Sequence, residues 1–323
     1  MAQVLKDVIW RSWERSSEFL GIKGFLKDDE AKFRLWTGFK VTLIPVIVFF
    51  ILVIFLWIIL TINLSFFEAH GYPKIGELSE TYYQYVISTS LDLVPYFLLF
   101  LFFLWLFGLY LAEMLLRPFK LIGDYCEKAC NDEIAIYDPD FFTDLKLLTS
   151  FSEYFFNALE NASKQGRLTP LDVPRKFTKI HKPVFESSFF LQQFIMMLVI
   201  SIVVAFFIYI TIVDVHHGMV KLSIEVLKQN KVMTYLFTQQ QTLMLTLTWG
   251  VLLFHSLLYI LLCLHLYSKV SAPAFGIFAT MRSFVKGNFD SRVHLIGYSY
   301  VRGHTRRLNK YLDKIVRQIP QEP

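Results

Sequence analysis

Charge is scarce in this chain. Asp, Glu, Lys and Arg make up only 18% of its 323 residues, against 54% hydrophobic, and Phe alone occurs 33 times. So little charge on so much apolar side chain excludes an ordinary soluble domain of this length and points to a lipid bilayer. Cysteine is scarcer still. Cys126, Cys130 and Cys263 are the only three, and they do not make a disulfide framework. The chain has no Gly-x-Ser-x-Gly elbow, phosphate-binding loop, His-Glu-x-x-His pair or kinase-type string. The stretches outside the apolar runs are too short for a catalytic domain. The expectation is a protein that is not an enzyme and uses no cofactor or metal. The net charge of +5 is mild and collects beside the apolar runs, which argues against a nucleic-acid partner.

What is present is four long apolar runs, at about 38–64, 94–116, 188–213 and 242–267, none with a charge in its middle. A helix needs roughly 20 such residues to cross about 30 Å of hydrocarbon. Lys and Arg set the direction. Seven precede the first run, ten lie between the second and third, and ten follow the fourth. The loop between the first two runs has only Lys74, and that between the last two has Lys221, Lys228 and Lys231. This predicts a multi-pass protein with both termini and the middle segment cytoplasmic. Outer loops are expected at 65–93 and 214–241. Residues 1–37, with Val4, Leu5, Val8, Ile9, Trp13 and Phe19 near helical spacing, read as an amphipathic interfacial helix or a docking helix.

The chain repeats itself. Each half holds a span, an outer loop, a second span, a proline (Pro118 or Pro273) and a polar segment. A proline placed there suits the first turn of a new helix. After it, Ile122, Tyr125 and Ala129 in one half, and Ile277, Met281 and Phe284 in the other, recur at helical spacing. A polar punctuation comes next, "ACNDEIAIYDPD" or "VKGNFDSRVHLIGYS". Then comes a second stripe: Leu145, Leu148, Ser152, Phe155 and Leu159, or Val301, Leu308, Leu312 and Ile315. Two short helices joined by a connector are what a parallel helical bundle needs.

The pattern from Pro273 to Asn309, with Ile277, "GNFDSRV" and "LN", resembles a HAMP domain, the signal converter of chemoreceptors and sensor kinases. The resemblance implies that Gly287 ends the first helix, that Phe289 and Val293 pack the connector inward, and that Asn309 sits on the second helix. In the first half it assigns the same places to Pro118, Ile122, Ile134 and Asn157. Two departures stand out. Ser299-Tyr300 and Leu147-Leu148 occupy the place of the family's Asp-Glu pair, and Asn131-Asp132 that of the first connector's glycine.

The expected architecture is therefore all-α. It has two pairs of spans (38–116 and 188–267), HAMP-like modules at 117–162 and 268–319, and a linker at 163–187 that Pro170, Pro174 and Pro183 keep extended. Two modules on one chain predict an intramolecular pseudo-dimer closing one four-helix bundle, or else a homodimer. The resemblance implies a bacterial inner-membrane protein that relays a signal to a separate cytoplasmic protein partner. A scaffold subunit of a membrane complex is the alternative. A transporter fits the repeat but not the lack of mid-membrane charge. Among single residues, Cys126 and Cys130 read as core or flank, or as lipidation sites. His216 and His217 read as a solvated helix start. His255 reads as a hydrogen bond between spans. Gln192 and Gln193 are polar groups at the start of the third run, and Glu113 is placed to pair with Arg117.

Overall fold

The computed structural model describes residues 28–71, 75–139, 145–227 and 231–319. The amphipathic pattern at Val4–Phe19 lies outside them. The described chain is helical: α1 (Asp29–Ala69), α2 (Ile75–Cys130), α3 (Lys146–Gln165), α4 (Arg175–Thr178), α5 (Ser187–Leu227), α6 (Lys231–Val285), a 3-10 turn (Ser299–Val301) and α7 (Arg302–Gln318). Asp28 starts α1 by accepting the Glu30 N–H at 2.9 Å. Helices α1, α2, α5 and α6 are each long and apolar enough to cross a membrane, which marks a multi-pass membrane protein.

The repeat extends to helix length. Helices α1 and α5 have 41 residues each, α2 and α6 have 56 and 55, and α3 and α7 have 20 and 17. The segments expected as outer loops are mostly helix. Helix α1 runs on to Ala69 and α2 starts at Ile75; α5 runs to Leu227 and α6 starts at Lys231. Polar residues there hid a helical stripe: Phe67, Leu78, Tyr82, Val215, Met219 and Phe237 bury one another beyond the apolar runs. Pro118 and Pro273 do not open new helices either. Each lies inside a continuous one, because a proline costs a helix one hydrogen bond and that loss can be made good elsewhere.

The chain divides into two compact units. An apolar unit takes Gly38–Gly108 and Gln193–Leu264, and a polar unit takes the rest. In the apolar unit the helices touch in the cyclic order α1, α2, α5, α6. Phe49 stacks on Phe97, Phe100 stacks on Phe207, the Ser201 hydroxyl lies 3.3 Å from His255 Nδ1, and the Tyr259 hydroxyl donates to the Val41 carbonyl at 3.1 Å. That last bond has a specific cause. Pro45 in α1 has no N–H for the carbonyl four residues back, which is Val41, and Tyr259 of α6 supplies the missing donor. Helices α1 and α2 approach through glycines: a Cβ on Gly108 would stand 2.6 Å from the Gly38 Cα. Near the two inter-helix turns, Gln240 donates to Asn63. Tyr82 meets Ser223, whose own proton goes to the Met219 carbonyl, so Tyr82 is the donor. An apolar cavity of about 210 Å³ lies among Pro45, Phe97, Phe207 and Met244.

In the polar unit the end of α2 with α3, and the end of α6 with α7, form two helix–connector–helix pieces. Pro118 and Pro273, Ile122 and Ile277, and Asp132 and Gly287 are each 155 positions apart. At the last pair both helices stop in the same way. Gly287 has φ 101°, and the Asn288 N–H reaches back to the Ser283 carbonyl at 3.2 Å. Asp132 has φ 59°, and the Glu133 N–H reaches back to Lys128 at 3.0 Å. Asp tolerates the left-handed conformation better than most residues, so it stands in for the glycine that the first connector lacks. Gly287 has a second constraint, since a Cβ there would meet Pro170 at 2.9 Å. Leu148, Thr149, Ser152, Phe155, Phe156 and Leu159 of α3 are buried, and so are the residues 156 positions later: His304, Thr305, Leu308, Tyr311, Leu312 and Ile315.

The linker carries one helical turn, α4, and α3 continues to Gln165. It is fastened along its length. Phe177 is buried against Phe151 and Phe278, and Arg282 of α6 donates to the Phe177 and Ile180 carbonyls at 3.0 and 2.6 Å. The Tyr267 hydroxyl binds the Val184 carbonyl and the Glu186 N–H. The Glu186 carboxylate accepts the Leu147 N–H at 3.1 Å, capping α3, whose own first residues offer no side-chain cap.

Candidate coupling site

At one buried position the two helix–connector–helix pieces differ in a way that brings in a titratable group. Where the first has Leu148, the second has His304, equally buried. His304 sits on the first turn of α7 against Gly123 of α2, where a Cβ would come within 2.7 Å of the ring. Its Nε2 stands 3.3 Å from a Glu30 carboxylate oxygen at the start of α1. Glu30 also pairs with Arg34, which reaches Glu113 of α2 at 2.7 Å, and Glu113 pairs with Lys120 at 3.2 Å. One polar network thus joins α1, α2 and α7 within the polar unit.

Helix α6 joins through a tyrosine. Pro273 leaves the Lys269 carbonyl without its helical donor, and the Tyr300 hydroxyl, from the 3-10 turn before α7, donates to it at 2.7 Å. Tyr300 in turn stacks on Phe33 of α1 at 4.4 Å. This repeats, with different elements, the Pro45–Tyr259 device of the apolar unit. Further along α7, Arg307 pairs with Asp124 at 2.9 Å and Glu127 at 3.3 Å. Lys314 donates to the Ala129 and Cys130 carbonyls at the end of α2. Replacing Tyr300 with Phe should lower the stability of the polar unit by about 1–2 kcal/mol, because a buried acceptor loses its partner while the ring stack stays. Thermal unfolding in detergent checks this; a melting temperature unchanged from wild type would mean that the carbonyl does not need the tyrosine.

Glu30 precedes the apolar run that begins at Gly38. Chiefly the neighbouring His304 ring, with Arg34 helping and burial opposing, holds its carboxyl down to about 2. A carboxylate held below its unfolded value near 4.5 stabilises the fold at all higher pH and loses that contribution as pH falls towards 2. The expected result is an acid-induced loss of stability over that interval, flattened in Glu30→Gln. Unfolding curves collected from pH 5 to about 2 test it, and a mutant with the wild-type slope would contradict it.

Of the residues expected from the HAMP resemblance, Pro118, Ile122, Pro273, Ile277, Phe289 and Val293 are buried. Asn309 binds the second connector from both sides of its amide: its oxygen accepts the Val293 N–H at 2.9 Å and its nitrogen donates to the Val293 carbonyl at 3.0 Å. One assignment in the first half needs correction. Ile134 is 90% exposed. The first connector instead lays Tyr137 against Tyr125 and Phe156, since an aromatic ring covers the gap between the two helices that a short aliphatic side chain does not reach. Asn157 lies on α3, the second helix of its piece, and is exposed; on the 156-residue offset Asn309 falls opposite Glu153.

The other singled-out residues also have places. Ser201 of α5 lies at the His255 ring of α6, the inter-helix contact expected. His216 is buried inside α5, not solvated. Gln193 is buried and Glu113 pairs with Arg34 and Lys120. Cys126 is buried, and burial pushes its thiol well above the ordinary value, the reverse of a reactive thiolate. His304 and Glu30 were not picked out from sequence, and Tyr300 only as a departure from the family's Asp-Glu pair. A histidine on the buried stripe of α7, where α3 has Leu148, is the signal that could have found His304. No family model matches the chain, and neither the curated proteins nor the solved structures contain a match to it.

Proposed function

We propose that this chain is a non-enzymatic transmembrane relay, in which a displacement of the spans repacks two HAMP-like pieces and a separate cytoplasmic protein reads the change. The observation that carries this reading is continuity. Helices α2 and α6 run unbroken from the apolar unit into the helix ends that meet α3 and α7. A helix transmits axial shift or rotation along its length, whereas a loop would absorb it. The lysine and arginine distribution favours a cytoplasmic polar unit and cytoplasmic termini, and the reading adds a bacterial inner membrane. The four HAMP-like helices act as one intramolecular bundle, so that a single chain does the work of a dimer.

A static scaffold is the second reading, favoured by the linker clamp of Arg282, Tyr267 and Glu186. One experiment separates the two. In full-length protein with its native cysteines replaced, spin labels go at Lys128 and Lys310, and the chain is reconstituted in nanodiscs. Asn63→Leu then removes the Asn63–Gln240 bond in the apolar unit. A relay shifts the distance distribution between the labels. An unchanged distribution supports the scaffold.

A further inference from the structure

We infer that the linker segment 175–185 is a docking strap for anionic phospholipid headgroups. Its sequence, "RKFTKIHKPVF", has Arg175, Lys176, Lys179, His181 and Lys182, all exposed, and no acidic residue between Asp172 and Glu186. Among the described residues, none of the four Lys and Arg side chains has an ion-pair partner. Arg34, Lys120, Lys164, Arg292, Arg307 and Lys314 of the same unit have one; exposed Lys286, Lys310 and Arg317 do not, but they do not sit in a cluster of five basic residues within eight positions. Lys176 lies over the Phe177 ring at 4.7 Å, and the charges of Arg175, Lys179 and Lys182 are left for something outside the chain.

The segment is also held in place. Phe177 is plugged between Phe151 and Phe278, Arg282 grips the carbonyls of Phe177 and Ile180, and Tyr267 grips Val184. Such anchoring fixes the backbone while the charges face outwards, so binding costs little ordering entropy. The residues at the end of the strap favour a lipid surface over another polyanion. Val184 and Phe185 are exposed, Phe185 at 58%, directly before α5 begins its apolar course at Ser187. Lys182 is five residues from that start, at most roughly 17 Å along an extended chain. Basic residues next to an exposed aromatic at the mouth of a span match the bilayer interface, where headgroup charge and the acyl boundary lie side by side. The inference needs α5 to enter the bilayer near Ser187. It does not need the relay.

The test uses the full chain in nanodiscs of phosphatidylcholine alone and of phosphatidylcholine with one quarter phosphatidylglycerol. Amine modification of Lys176, Lys179 and Lys182 is followed by mass spectrometry, with ion-paired Lys164 as the internal reference. Anionic nanodiscs should slow modification of the strap lysines about five-fold, and high salt should abolish the difference. The paired change Lys179→Gln and Lys182→Gln should reduce the protection that remains at Lys176. Equal rates in the two lipid compositions overturn the inference. So does equal protection in phosphatidylcholine nanodiscs on adding inorganic phosphate, which would make the strap a free-anion site.

Discussion

Replacing Gly108 with valine should separate α1 from α2. The added Cβ would lie 2.6 Å from the Gly38 Cα and 3.3 Å from the Val41 Cβ, and the nearest of these is backbone, which cannot swing aside. Overpacking of this kind costs about 1–3 kcal/mol where side chains can adjust, and a backbone clash should reach or pass the upper end. Gly108→Ala should already be measurable. A Cβ on Gly250, in α6 of the same unit, would meet nothing within 4 Å, so Gly250→Ala should be neutral or slightly stabilising through helix propensity. Thermal unfolding of the three variants in one detergent decides the matter. If Gly108→Val melts with Gly250→Ala, the helices do not cross at these glycines.

Phe278→Ala should have an effect of similar or greater size in the polar unit. The ring is fully buried, meets Phe151 at 4.8 Å and Phe177 at 6.3 Å, and has the Arg282 guanidinium 5.1 Å from its centre. Emptying such a site costs about 3–5 kcal/mol. The damage has a local signature, because Phe177 and Arg282 are the groups that pin the linker. Trypsin should then cut after Arg175, Lys176 and Lys179, sites that the wild-type clamp protects; Lys182 precedes Pro183 and is not a trypsin site. Ile134→Ala is the comparison: at 90% exposure it should change stability by no more than about 0.5 kcal/mol. Unaltered trypsin resistance in Phe278→Ala would show that the linker is not held through this ring.

The legible part of the fold was the part governed by period and composition. The four apolar runs, the doubling of the chain and the stripes Leu145–Leu159 and Val301–Ile315 follow from where hydrophobic residues recur, and burial follows the same periodicity in the structure. The helical continuation past the apolar runs was hidden. Its stripe of Phe67, Leu78, Tyr82, Met219 and Phe237 is diluted by polar neighbours, and those residues are buried in a cluster that draws on different helices. Ile134 was misplaced for a related reason: a connector has no period, so nothing local distinguishes an inward residue from an outward one.

By itself, then, the sequence determined that this is an all-helical chain of four membrane-length apolar helices built twice over, because hydrophobicity and helical spacing are local properties. Only the tertiary structure decided which groups meet: Tyr259 with the carbonyl freed by Pro45, Tyr300 with that freed by Pro273, His304 with Glu30, and Glu186 at the head of α3. Each pairs residues far apart in the chain. Each exists because a polar group withdrawn from water must find a partner wherever the packing brings one within reach.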